Sequence, residues 1–365
     1  MKKKFIAILL CMTVAVSVAA GCGTKEPEVD NSTKTSDTKE ETKDVEPVEE
    51  RKVYVTPEWL RSAMDGNQEG YEDLVIAEVG YGDVKKSASY KEGHIEGALY
   101  VDICEVEDAT GSEEGAYNIL SAEEIEKNLL SHGITKDTKV VLYDKSASAG
   151  VARVAYGYLW AGVEDVKILN GGLDGWKKAG YEAADTKVNE AEAAKDFGVE
   201  VPAHPEYWLS VEDAKDKLEE DDNFKLVSIR SKDEWLGKTS GYNYMDKAGE
   251  PKGAVWGKAS ESSADVNGVM NEDGTVKNLD ELMEVWSDVD FTLDNELSFY
   301  CGTGWRACIP FLILYENGYD TMSVFDGGWY EWLMHDDYPV QVGDPATNEV
   351  EYTTVGELPT GKAAK

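Results

Sequence analysis

The sequence predicts an α/β protein made of two similar domains, each a mostly parallel sheet flanked by helices. Three observations carry that expectation. Short apolar, β-branched runs alternate with amphipathic helical stretches, the pattern of parallel strands joined by helical crossovers. Two long stretches match one another when slid by about 157 residues. Both close on the same Gly-Gly-x-x-x-Trp signature, Gly171 to Trp176 and Gly327 to Trp332. A shared pattern of that length reads as two homologous domains rather than a solenoid array.

Residues 1–21 have the make-up of an export signal. Lys2, Lys3 and Lys4 precede an apolar run of 16 residues, Phe5 to Ala20, which is short for a spanning helix. Ala19-Ala20-Gly21-Cys22 resembles the lipobox of bacterial lipoproteins, with Ala19 where Leu is usual. The resemblance implies that Cys22 is acylated and anchors the chain to the outer face of a cytoplasmic membrane. Plain secretion with an incidental Cys22 is the other reading. Residues 22–50 are rich in Lys, Glu, Thr, Asp, Ser and Pro and lack aromatics, which predicts a flexible acidic stalk.

The first domain is placed at 51–185. Its strand candidates are Leu74–Val79 and Val140–Asp144. Helices are expected at Pro57–Met64, Ser121–His132 and Val151–Ala161, and Ser121 with Glu124 has the capping-box form. An Ala/Glu-rich linker, 186–205, ends at Pro202 and Pro205. The second domain, 206–342, repeats the pattern. Lys225–Arg230 parallels the Leu74–Val79 run, and Gly253-Ala254-Val255 parallels Gly97-Ala98-Leu99. Helices are expected at Val211–Leu218 and Asn278–Trp286. The tail, 343–365, reads as an extended wrap or a frayed end.

Composition narrows the function. The 365 residues carry 36 Lys plus Arg against 72 Asp plus Glu, a net charge of −36. Loss of residues 1–21 with their three lysines takes it to −39. Nucleic acid and polybasic membrane contact are excluded, since both need a basic face. A hydrophobic content of 42% and ten Trp supply real cores. Beyond the signal and Cys22 only Cys104, Cys301 and Cys308 remain, too few for a disulfide framework. No His/Cys cluster has ligand spacing, so no metal or organic cofactor is expected. Cys308 and the Trp residues of the two signatures read as packing groups.

The strongest chemical feature is Tyr300-Cys301-Gly302-Thr303-Gly304-Trp305-Arg306-Ala307, lying between an apolar strand and an apolar helix. Gly302 and Gly304 let the backbone curl so that several N–H groups point inward as an anion nest. That field favours a thiolate on Cys301, and Arg306 adds positive charge. At the matching place in the first half, Asp144 is followed by the Gly-poor Lys145-Ser146-Ala147-Ser148-Ala149, a loop without a thiol.

These motifs resemble the rhodanese (sulfurtransferase) family in its tandem form, over nearly all of residues 51–342. The resemblance implies a first domain that is inactive, with Asp144 at the Cys position. It implies a second domain in which Cys301 takes a sulfane sulfur as a persulfide and passes it to a thiol or cyanide. Cys301-Gly302-Thr303-Gly304 is similar to the loop of 3-mercaptopyruvate sulfurtransferases rather than that of thiosulfate sulfurtransferases. That branch implies a proton-transfer triad of Thr303, His94 and Asp83. His94 lies in Gly93-His94-Ile95-Glu96-Gly97-Ala98, and Asp83 lies 11 residues earlier. Arg230 matches the residue that holds the donor's anionic end. The branch's second Arg is replaced by Lys238-Thr239, the second domain reads Gly249-Glu250-Pro251-Lys252-Gly253-Ala254 without the signature His, and Trp305-Arg306 stand where both familiar loops have Val-Thr. The donor expected is a small anion, thiosulfate or 3-mercaptopyruvate, bound by Arg230, Arg306 and the loop residues Gly302, Gly304 and Trp305. The chain is expected to act as a monomer. A related fold carries phosphatase or arsenate chemistry on Cys-x5-Arg loops, but only four residues separate Cys301 from Arg306. The remaining alternative is a non-catalytic protein that binds or senses sulfur species.

Overall fold

The computed structural model describes residues 48, 50–108, 117–260, 265–347 and 349–364. The signal segment, Cys22 and the stalk to residue 47 lie outside the described residues. In the first half, β1 (Tyr54–Val55), β2 (Val75–Gly80), β3 (Leu99–Asp102), β4 (Lys139–Tyr143) and β5 (Asp165–Leu169) form a parallel sheet ordered β1-β5-β4-β2-β3. Its helices are α1 (Pro57–Met64), α2 (Ala88–Glu92), α3 (Ala122–Ser131), α4 (Ala149–Ala161) and α5 (Gly172–Lys178). The second half contributes β6 (Trp208–Leu209), β7 (Phe224–Ser228), β8 (Glu250–Pro251), β9 (Val255–Trp256), β10 (Glu296–Tyr300), β11 (Met322–Phe325), β12 (Pro339–Val342) and β13 (Glu351–Thr354). Five of these form a second parallel sheet, β6-β11-β10-β7-β9, strand for strand the order of the first. Its helices are α6 (Val211–Glu220), α7 (Lys232–Trp235), α8 (Leu279–Val285), α9 (Cys308–Glu316) and α10 (Gly328–Trp332).

Local chemistry sets the helix ends. Pro57 opens α1 behind Thr56, whose hydroxyl accepts from Trp59 N. The capping box of Ser121 and Glu124 forms as the sequence suggests, and Asn278 with Glu281 makes a second one. Helices α4 and α9 are apolar nearly all round, because each is covered by its own sheet and by the other helix. Tyr156 meets Phe311 edge-on at 5.2 Å between them. One hydrophobic core therefore runs through both halves. Arg153, fully buried on α4, is the exception within it.

The repeat does not account for a third sheet. There β12 pairs antiparallel with both β13 and β8. After β13 the chain turns back over the loop at 239–246. Lys362 O accepts from Ser240 N at 2.8 Å, Lys362 N donates to Asp246 O at 3.0 Å, and Ala364 N donates to Tyr242 O at 2.9 Å. Val355 and Leu358 sink into the core beside Trp329 and Trp332. Apolar anchors and backbone hydrogen bonds make this tail a strap, not a frayed end.

Candidate active site

Cys301 directly follows β10, the central strand of the second sheet, and the loop it opens runs into α9. Two glycines shape that loop. A Cβ at Gly302 would lie 2.2 Å from the Tyr242 ring, and Gly304 adopts φ +82 with Asp326 O 2.8 Å from its would-be Cβ. Trp329 N donates to Cys301 O and Tyr330 N to Gly302 O, both at 2.9 Å. The first half repeats this clamp: Leu173 N donates to Asp144 O at 2.8 Å and Asp174 N to Lys145 O at 2.9 Å. The Gly-Gly signature makes the clamp possible. Gly172 and Gly328 have φ +59 and +55, and a Cβ on either would strike the loop backbone within 2.6 Å.

The first-half loop shows what such a turn holds. The Asp144 carboxylate accepts from Ser146 N at 3.0 Å and Ser148 N at 3.2 Å, and from the Ser148 hydroxyl. In the second half Cys301 takes the place of that anion. Among the described residues, the N–H groups of Thr303, Gly304 and Trp305 make no hydrogen bond within the protein.

Cys301, Thr303, Trp305 and Arg306 border a cavity of about 330 Å³. The opposite walls come from both halves: Tyr81, Glu107, Tyr117 and Ala149 from the first, Tyr242 and Tyr244 from the second. Thr303 lies against the Tyr244 phenol, which burial pushes to a raised pKa. Tyr117 stacks on Tyr244 at 5.3 Å. The Trp305 indole N–H donates to Glu107 Oε2 at 2.6 Å, tying the loop to the other half.

The rhodanese-like domain model matches residues 56–179 and 210–335. The chain belongs to the rhodanese-like domain family. It is 39% identical over 293 residues to the Escherichia coli thiosulfate sulfurtransferase YnjE, matching 80% of this chain to 65% of that protein. It is 27% identical to the thiosulfate sulfurtransferase of Cricetulus griseus, over 77% of this chain and 92% of that one. Among solved structures it resembles YnjE, with a TM-score of 0.74 and 37% identity over 80% of this chain and 68% of the other. It also resembles the anaerobic ergothioneine biosynthesis enzyme of Chlorobium limicola in complex with trimethyl histidine. There the TM-score is 0.72 and the identity 31%, over 80% of this chain and 70% of that one. These relatives make this rhodanese a sulfurtransferase in general terms.

The rhodanese site gathers only part of the constellation expected from sequence. His94 is fully buried away from the cavity. Its ring stacks on Tyr90 at 3.7 Å, its Nδ1 donates to Tyr90 O at 2.7 Å, and its Nε2 faces Asn189 and Asp185 at 3.3 and 3.5 Å. Asp83 is exposed, caps its own short turn through Lys85 N, and borders a different groove with Asp102 and His132. The Thr303/His94/Asp83 triad is therefore not assembled; His94 supports its loop and the linker.

Arg230 is corrected likewise. It is fully buried and off the cavity wall, donating to Gly249 O at 2.7 Å, Ser240 O at 2.8 Å, Glu250 at 2.9 Å and Glu234 at 3.4 Å. Arg306 reaches the wall, but Glu234 grips it bidentately at 2.8 and 3.0 Å, and the Tyr242 hydroxyl takes a third bond at 2.8 Å. Burial alone would raise the Glu234 carboxyl, yet Arg306 and Arg230 hold it at about 2. The two arginines thus form a neutralised ionic floor with Glu234 and Glu250 rather than an open positive island. Tyr242 links that floor to the loop by accepting from Gly302 N at 3.2 Å.

Sequence reasoning missed Glu107, Tyr81, Tyr117, Tyr242 and Tyr244. The one available signal was Gly241-Tyr242-Asn243-Tyr244, two tyrosines in a stretch with neither helical nor strand periodicity. Cys308, fully buried with its thiol directed at Gly304 O, packs as expected.

Proposed function

We propose that this rhodanese moves a sulfane sulfur from a small anionic donor, thiosulfate or 3-mercaptopyruvate, through a Cys301 persulfide to a thiol or cyanide acceptor. The observation that carries the reading is the internal comparison of Asp144 with Cys301. One loop geometry serves both positions, and in the first half its N–H groups already hold a carboxylate. The same turn suits a Cys301 thiolate and then the anionic outer sulfur of a persulfide. In the first half-reaction the Cys301 thiolate attacks the donor's transferable sulfur and the bond that held it breaks; sulfite leaves with that electron pair, or pyruvate leaves as its enolate and takes up the proton of the donor thiol. In the second, the acceptor attacks the outer sulfur and Cys301 regains its thiolate. With Arg230 and Arg306 already paired, donor charge falls mainly to the loop amides.

The test is to incubate the protein with each donor and detect a Cys301 persulfide by mass spectrometry, alongside thiocyanate formation from cyanide. Cys301→Ser should abolish both. A persulfide that forms but discharges to no acceptor would favour the sensing alternative.

A second reading of the acceptor has its own support. Four tyrosines and Trp305 line the cavity, and its acidic wall residue is Glu107. Such a lining suits a cationic heterocycle, and the similar Chlorobium limicola structure is a complex with trimethyl histidine. Comparing discharge of the persulfide to trimethyl histidine and to a simple thiol separates the two readings.

The signal-like residues 1–21 and Cys22 support a lipid anchor on the extracytoplasmic face of the cell membrane. Fatty-acid labelling that persists in a Cys22→Ala variant would remove that part of the proposal.

A further inference from the structure

The cavity contains one buried acid that the sulfur chemistry above leaves without a role. Glu107 belongs to the first half and is 1% exposed, yet it lines the cavity that holds Cys301. Its Oε2 accepts from Arg153 Nε at 2.9 Å and from the Trp305 indole at 2.6 Å. Its Oε1 is buried and, among the described residues, has no hydrogen-bond partner. A carboxylate oxygen left bare in a buried wall is costly, which makes it a candidate for work on a bound group.

We propose that Glu107 takes the proton from the acceptor thiol as that sulfur attacks the Cys301 persulfide. The inference rests on the persulfide reading of the site. The step balances as follows. The acceptor S–H bond breaks, and its proton goes to Glu107 Oε1. The freed sulfur pair forms a bond to the outer sulfur of the Cys301 persulfide. The inner S–S bond breaks, and its electron pair returns to Cys301 as thiolate. The product persulfide then recovers the proton from Glu107 as it leaves, so no external oxidant or reductant enters.

The surroundings suit a carboxyl that changes charge near neutrality. Burial outweighs the Arg153 guanidinium and raises Glu107 to about 7, with Trp305 pulling down and Asp326 pushing up. Arg153 on α4 also binds Asp326 and donates to Tyr117 O at 3.1 Å. Also facing this cluster are the Tyr117 phenol, the Cys104 and Cys308 thiols, the Tyr156 phenol and, beyond Asp326, Glu331. Arg153 is the single cation among them and is shared with Asp326, so Glu107 is only partly neutralised.

The experiment loads Cys301 with sulfur from thiosulfate, removes the donor, and follows discharge between pH 5.5 and 9 to a simple thiol and to sulfite. At the alkaline end of that range sulfite is the dianion and carries no proton at the attacking sulfur, so the two acceptors are compared there. In the wild-type protein, discharge to the thiol should rise through an ionisation near 7 in addition to that of the thiol itself. Glu107→Gln should lose that limb and discharge to the thiol about tenfold to a hundredfold more slowly at the alkaline end, while discharge to sulfite stays within about twofold. Trp305→Phe removes a donor to the carboxylate and should move the limb to higher pH, which gives an independent readout if the Gln variant folds poorly. Wild-type thiol discharge with no limb near 7 overturns the inference. So does a Gln variant slowed equally toward thiol and sulfite, which would leave Glu107 as a support for Trp305. If no Cys301 persulfide forms in the wild type, it is the underlying reading of the site that fails.

Discussion

Gly328 and Cys301 are in backbone contact: a methyl group added at Gly328 would lie 2.6 Å from the Cys301 carbonyl oxygen, the atom that receives Trp329 N. Any side chain at 328 must therefore push the Cys301 loop away or give up φ +55. Gly328→Ala should cut kcat by on the order of a hundredfold, since displacement of a reacting group by about 1 Å costs that much. Gly172→Ala, its counterpart beside Asp144, should lower stability with a smaller effect on rate. Steady-state kinetics and thermal melting of both variants check this. Equal kcat losses in the two would contradict it.

Arg230 should behave as a structural cation. Removing one member of a buried ion network typically costs about 3–5 kcal/mol, and Arg230→Ala strands Glu250 and leaves Glu234 to Arg306 alone. Urea denaturation should show a large loss of stability, with the KM for thiosulfate nearly unchanged in the folded fraction. A KM raised tenfold at near wild-type stability would put Arg230 back in contact with the donor.

Three carboxyls make stability depend on pH, two in one sense and the third in the other. Glu107 stands at about 7 in the folded protein, raised by burial, whereas an unperturbed Glu ionises near 4.3. Between those values the unfolded chain holds fewer protons, so stability falls as pH rises through the window. Glu331, also raised by burial to about 7, acts in the same direction. Glu234, held at about 2 against its burial by Arg306 and Arg230, contributes stability above about 4.3 that is lost as pH falls toward 2. Melting temperature should peak between about pH 4.5 and 6, and Glu107→Gln should flatten the decline on the alkaline side. The surface charge also favours that decline, so the difference between variant and wild type is the diagnostic. A variant curve parallel to wild type would reject the role of Glu107 in it.

The strap at 361–364 should matter to the acceptor. Its bonds to Ser240, Tyr242 and Asp246 hold the loop that carries Tyr242 and Tyr244. Deleting residues 360–365 should raise the acceptor KM about tenfold, the size of one or two lost hydrogen bonds, and leave persulfide loading on Cys301 largely intact. Loss of loading in equal measure would show that the strap supports the whole domain instead.

Much of this fold was legible because it is local or repeated. Capping residues such as Ser121 mark helix ends, and the two Gly-Gly signatures expose the duplication. The Cys301 loop was equally plain, since a thiol followed closely by two glycines and set between a strand and an apolar helix has few other uses. The arginines were misjudged because a motif match reports a residue and not its neighbours. Glu234, four residues after Arg230, was in view, but nothing in one dimension says that Arg306 would turn to it as well. His94 was misplaced for the same reason: Tyr90, one turn earlier, and Asn189 from the linker enclose it. Glu107 and the tyrosines sit on segments without periodicity, and which loops face one another is decided by the packing of α4 on α9. No pattern within either half carries that information.

The strap also imposes a timetable on biogenesis. Thr239 emerges from the ribosome 123 residues ahead of Lys362, whose carbonyl oxygen receives its hydroxyl. During synthesis the sheets can close and Cys301 can take its place while the Tyr242 wall is still unfastened. The thiol thus exists for a time beside an unfinished pocket.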